Sequence, residues 1–159
     1  MKCIPKLFID TSVFNLFFDG KNGQKQKDSI RLFEEIAKGR YEAYASQEVL
    51  DELREAPEEK RKQMLDMYGQ YIKKAISATP EARLLAELYI RKRIIPEKYR
   101  NDSLCIAIAT VNNFDFVISF NQGHIVKTKT MIGTGFVNLR QGFKQIGLGT
   151  PTEVLEYDP

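Results

Sequence analysis

The chain has no tryptophan, a single histidine, only two cysteines and no long apolar run, and each shortage removes a class of protein. Cys3 and Cys105 are too few for a disulfide framework, and Cys105 lies in an apolar stretch where a thiol behaves as a small hydrophobe. With His124 as the one histidine and no paired cysteine spacing, a zinc site is excluded. The longest apolar stretches, residues 104–111 and 14–18, fall well short of the roughly 18 residues that span a bilayer. The N-terminus carries no signal-peptide pattern, so no membrane partner and a cytoplasmic location are expected. Charge of one sign is scarce too: 24 Lys and Arg against 21 Asp and Glu leave +3. That balance permits nucleic acid as a partner without demanding it.

What is present is an ordinary globular composition, 43% hydrophobic and 28% charged over 159 residues, which fits one domain spanning 1–159. Residues 6–9 read as a short apolar strand, and residues 28–38 as a helix stopped by Gly39. A second strand is expected at 41–45, followed by a helix capped by Ser46. Residues 58–76 look charged on one face and apolar on the other, and a further helix is expected over 80–94, closed before Pro96. Asn101, Asp102 and Ser103 read as the cap of an apolar helix over 104–111. Residues 114–119 form a β-branched and aromatic run typical of a strand covered on both faces. Near the C-terminus a helix, a short strand and a capped turn at 150–153 complete the pattern. Strands alternating with helices predict an α/β protein, a parallel sheet with helices on both sides.

In such a sheet ligands collect outside the carboxyl ends of the strands. Asp10 ends the first strand, Ser119 and Asn121 follow the strand beginning near Phe114, and Asp102 opens the apolar helix. The acids Glu48, Asp51, Glu52 and Glu55 follow the second strand, and spacing leaves all four as candidates. Carboxylates brought together repel unless a cation compensates, and a hard divalent ion such as Mg²⁺ or Mn²⁺ suits oxygen donors. The usual work of such a site is phosphodiester hydrolysis.

The stretches FIDTSVF (8–14), SQEVLDEL (46–53), NDSLCIAIAT (101–110) and DFVISFNQGHIV (115–126), in this order and spacing, resemble the PIN domain family over almost the whole chain. The resemblance implies a three-layer α/β/α sandwich and a metal-dependent ribonuclease, often the VapC-type toxin of a toxin–antitoxin pair. Its acids fall on Asp10, Glu52 and Asp102, which would hold the metal, with Thr11 and Ser12 as the small hydroxyl residues after the first. A fourth family aspartate is replaced here by Asn121, as in a subgroup carrying Asn and His in this region. An amide can ligate through its carbonyl but adds no charge, so the number of ions stays open.

Substrate contacts are expected from Thr11, Ser12, Ser119, His124 and Lys127, with Lys129 and the run Arg91, Lys92, Arg93, Lys98 and Arg100 steering a phosphate backbone. RNA is the expected substrate and partner, with a small antitoxin and a homodimer as further partners; Phe14, Phe17 and Phe18 read as core or as part of an antitoxin groove. Two other readings keep the fold: a PIN nuclease of RNA processing or DNA maintenance, and a non-catalytic nucleic-acid-binding module with a degenerate site.

Overall fold

The structure, a computed structural model, describes residues 3–156, so residues 1–2 and 157–159 of the expected domain lie outside the described residues. The chain runs β1 (Lys6–Ile9), α1 (Thr11–Phe17), α2 (Gly23–Ala37), β2 (Glu42–Ser46), α3 (Gln47–Arg54), α4 (Glu58–Tyr71) and β3 (Ile72–Ile76). It continues with α5 (Pro80–Arg91), a 3-10 turn at Glu97–Tyr99, α6 (Arg100–Val111), β4 (Phe116–Ile118), α7 (Thr128–Arg140), β5 (Gly147–Gly149) and α8 (Pro151–Glu156).

The five strands form one parallel sheet in the order β3-β2-β1-β4-β5. Helices cover both faces, which makes the expected α/β/α sandwich. The alternation along β1 explains the layers. Leu7 and Ile9 face a core shared with α1, α2, α3, α4 and α8, while Phe8 faces a second core built with α5, α6 and α7. All three β1 side chains are fully buried, each contributing roughly 1.5–3 kcal/mol relative to exposure.

Several local expectations need correction. Residues 58–76 are not one helix: α4 ends at Tyr71 and the chain passes straight into β3, which pairs with β2. α2 starts at Gly23 because exposed Gln24, Lys25 and Lys27 propagate a helix without any apolar period to mark it. α5 ends at Arg91, short of Ile94, as the backbone turns left-handed at Arg93 with φ 58°. Ser46 does cap α3, its hydroxyl accepting from the Val49 N–H at 3.1 Å. Asp102 caps nothing; Tyr99 holds the N-cap position of α6 without a side-chain bond, and Asp102 lies inside the first turn.

Candidate active site at the carboxyl ends of the strands

β2 and β3 lie to one side of β1, β4 and β5 to the other, so the chain changes direction across the sheet between β1 and β4. This is where a parallel sheet opens a crevice for a ligand. Asp10 leaves β1 there and Ser119 leaves β4 beside it, the Asp10 N–H donating to the Ile118 carbonyl at 3.0 Å.

Two hydroxyls hold the Asp10 carboxylate. Ser12 Oγ and Ser119 Oγ each donate to Asp10 Oδ2 at 2.8 Å. Each hydroxyl also accepts from the loop after β4: Phe120 N–H donates to Ser12 at 3.0 Å and Asn121 N–H donates to Ser119 at 2.9 Å. A carboxylate oxygen can only accept, so each hydroxyl gives its one proton to Asp10 while its lone pairs take the loop N–H groups. The Ser12 N–H adds a longer bond to Oδ2 at 3.4 Å, and Oδ1 takes none of these three. Ser119, expected to contact substrate, is fully buried here, with hydrogen bonds to Asp10 and the loop and its Oγ 3.3 Å from that of Ser12. Ser12 is bonded in the same way, and Thr11 opens α1 half-buried beside it.

Asn121 also plays a part different from the expected one. Its Oδ1 accepts from the Gly123 and His124 N–H groups at 3.2 and 3.1 Å, which pins the loop. Its Nδ2 donates to Asp102 Oδ2 at 3.3 Å. The carbonyl that could ligate a metal is occupied by the loop, and the amide faces the acid as a donor. His124, half-buried, stacks on Tyr99 with ring centroids 3.4 Å apart and planes 25° from parallel, which ties the loop to the start of α6.

Burial pushes the Asp102 carboxyl above its ordinary range, and the nearby Asp10 charge pushes it further. His124 and the Asn121 hydrogen bond pull it back, while Glu52 adds a smaller upward push. Beneath them, burial raises the Cys105 thiol well above its usual value, reinforced by Asp10, Asp102, Glu48 and Glu52 in that order. Four carboxylates from three parts of the chain thus act on one point. Among the described residues none of the four is in an ion pair with Lys or Arg.

Glu48 was one of four candidates on α3, and the register of the family selected Glu52 instead. The two are one turn apart on the same side of the helix. Glu52 is exposed, whereas Glu48 is half-buried and its Oε2 is shut off from solvent with no hydrogen-bond partner. Only its position could have singled it out: it follows the Ser46 cap by two residues, at the end of α3 nearest the rim.

Among the described residues no three His, Cys, Asp or Glu side chains are grouped closely enough to hold a metal ion together. The donors are all oxygens and one is an orphaned carboxylate oxygen. That set fits a hard ion that keeps several of its waters and takes only a few protein ligands, as Mg²⁺ does, rather than one caged by protein atoms.

Of the basic groups, Arg100 is half-exposed and forms surface ion pairs with Glu87 and Glu97. Lys98 lies over the Tyr99 ring at 5.0 Å, and Lys127 reaches the Gly123 carbonyl at 3.4 Å; both are exposed, as are Lys129, Arg91, Lys92 and Arg93. Of the three early phenylalanines, Phe14 is fully buried while Phe17 and Phe18 are half-buried against the same core. No helix among the described residues is long and apolar enough to cross a membrane.

No family model matches the chain, and no curated protein matches it in sequence. Among solved structures, it is similar to a chain in the crystal structure of VapBC2 from Rickettsia felis bound to a DNA fragment from their promoter. The superposition covers 91% of this chain and 98% of that one, with a TM-score of 0.55 and 13% identical residues. The likeness is one of fold, over nearly the full length of both chains.

Proposed function

We propose that the chain is a metal-dependent endoribonuclease that hydrolyses phosphodiester bonds in RNA, as the toxin of a toxin–antitoxin pair. The observation that carries this reading is the placement of Asp10 and Asp102, linked through the loop after β4, at the switch between β1 and β4, with Glu48 and Glu52 on α3 acting on the same Cys105 thiol and none of the four in an ion pair. A divalent ion bound at this rim would offset the repulsion between acids that lack a Lys or Arg partner. When bound, Mg²⁺ or Mn²⁺ supplies a Lewis acid that lowers the pKa of water and offsets charge at the scissile phosphate.

The chain's own residues hold and tune that arrangement. Asp10 and Asp102 would be the central ligands, with Glu52 or the orphaned Glu48 completing the set. Ser12 and Ser119 fix the rotamer of Asp10, and Asn121 holds Asp102 by its amide. His124 and Lys127, on the loop that Asn121 pins, are the nearest candidates to receive phosphate oxygens. The toxin role rests on the likeness in fold to the VapBC2 chain. Asp10→Asn and Asp102→Asn should each abolish Mn²⁺-dependent cleavage of single-stranded RNA; retained cleavage in both would overturn the assignment. Growth arrest on expression, relieved by a neighbouring small protein, would separate a toxin from a housekeeping nuclease.

One observation favours a second reading. The fourth acid is missing and the Asn121 carbonyl is occupied, as in a nucleic-acid-binding module that has lost catalysis. Calorimetry with Mn²⁺ distinguishes the two, since such a module would show no binding that depends on Asp10.

A further inference from the structure

α7 buries mainly polar side chains. Its inward side carries Thr130, Thr134 and Asn138, all buried and all bonded, with Val137 its one buried large apolar side chain. Thr130 donates to the His124 carbonyl at 2.8 Å and Thr134 to the Thr130 carbonyl at 2.7 Å. Asn138 accepts from the Tyr89 hydroxyl and donates to Thr110 at 3.3 Å. The opposite side presents Ile132, Phe136 and Leu139, which are 66%, 63% and 61% exposed. At about 100° per residue these three fall within one narrow stripe, directly across the helix from the bonded polar row. The satisfied inner row fixes the helix in this orientation. The stripe is therefore a feature of the surface, and contiguous exposed apolar side chains of this kind mark interaction sites.

The charges beside the stripe choose the occupant. α7 carries Lys129 and Arg140, both exposed and both on the same side of the stripe, and no carboxylate. Arg140 lies 5.7 Å from the Phe136 ring. On that side Gly133 packs against Ile94, the residue that follows the exposed run Arg91, Lys92 and Arg93. A second copy of the chain docked through α7 about a two-fold axis would set this cationic flank against itself. A membrane surface is a poorer match, because three apolar side chains on a 13-residue helix offer little area to insert beside these cations.

We infer that the outer face of α7 is a docking surface for an acidic amphipathic helix of a partner protein. Its apolar residues would lie on Ile132, Phe136 and Leu139, and its carboxylates would flank them against Lys129 and Arg140. This surface is independent of the nuclease reading. The Lys127–Thr130 end of α7 adjoins the His124 loop, so a helix seated here reaches the rim of the acidic crevice.

The test uses the full chain and a fluorescent designed helix of about four turns, with leucines at the i, i+4 and i+7 positions and glutamates flanking them. Anisotropy should report binding that Phe136→Ser weakens by about tenfold or more while thermal stability is unchanged. Arg140→Glu should weaken the glutamate-flanked helix and improve a lysine-flanked one, a reversal that loss of folding cannot produce. Equal binding of both helices to the wild type, or binding to phosphatidylglycerol vesicles in place of either, overturns the proposal. So does self-association in sedimentation that Phe136→Ser abolishes, or no binding of the acidic helix.

Discussion

Ser119 donates its hydroxyl to Asp10 across the gap between β4 and β1, at 2.8 Å, from a position closed to solvent. The same oxygen accepts the Asn121 N–H, so one buried atom couples the acid to the loop. Ser119→Ala would leave that N–H and one side of Asp10 without a partner. An unmade buried hydrogen bond costs about 1–3 kcal/mol. Urea unfolding of the variant should show a loss of that size, and RNA cleavage should fall while cleavage in Ser119→Thr is partly kept.

Glu48 separates stability from function. Its Oε2 is buried and unpaired in the metal-free protein, so Glu48→Gln should raise the metal-free melting temperature, the gain being on the order of 1 kcal/mol. Mn²⁺ should then stabilise the wild type by mass action and the variant much less. Glu52→Gln, at an exposed position, should leave the metal-free melting temperature unchanged. If Mn²⁺ raises the melting temperature of wild type and Glu48→Gln equally, Glu48 is no ligand.

Tyr89 predicts the alkaline limit of the fold. Burial pushes its phenol up to about 12, against the partial opposition of Thr110 and Asn138. The folded state thus favours the neutral phenol. Its contribution is complete below the unfolded value of about 10 and is lost as pH rises through about 12, a span on the order of 2 kcal/mol. Ultraviolet titration should find Tyr89 ionising last of the seven tyrosines, together with unfolding and after Tyr68, which burial also delays, and Tyr89→Phe should remove that last step.

Gly147 in β5 has no room for a side chain. A Cβ there would stand 2.4 and 2.6 Å from the Phe116 ring carbons, far inside contact distance. Gly147→Ala should cost about 1–3 kcal/mol by overpacking. The double variant with Phe116→Leu should recover part of the loss, which thermal melts of the four proteins would measure.

The sequence made β1, the parallel sheet and the Ser46 cap readable because each depends on local residues: an apolar run, alternation of elements, a hydroxyl three residues before its N–H. β3 was hidden for a physical reason. Residues 72–76 read IKKAI, and no Gly or Pro separates them from the helix before, so tertiary pairing with β2 decides the conformation. The first turns of α7 are hard to read from sequence because Ile132 and Phe136 face outward, while Thr130, Thr134 and Asn138 are buried and Val137 is its one buried large apolar side chain. Asp10 and Asp102 could be placed by where their elements end. Which α3 glutamate turns inward, and which atom of Asn121 is free, depend on side-chain packing that no spacing rule contains.

The gap between β1 and β4 also sets a timetable. β1 is the first strand made and the centre of the sheet, yet Asp10 and its partner Ser119 are 109 residues apart in the chain. Loop closure over that distance is slow and comes late. During synthesis β2 can join β1 early, but the second hydroxyl on Asp10 and the loop bearing Asn121 arrive only when β4 has left the ribosome. The hydrogen bonds that hold Asp10 and link it to Asp102 are therefore complete only after β4 and the loop that follows it have been made.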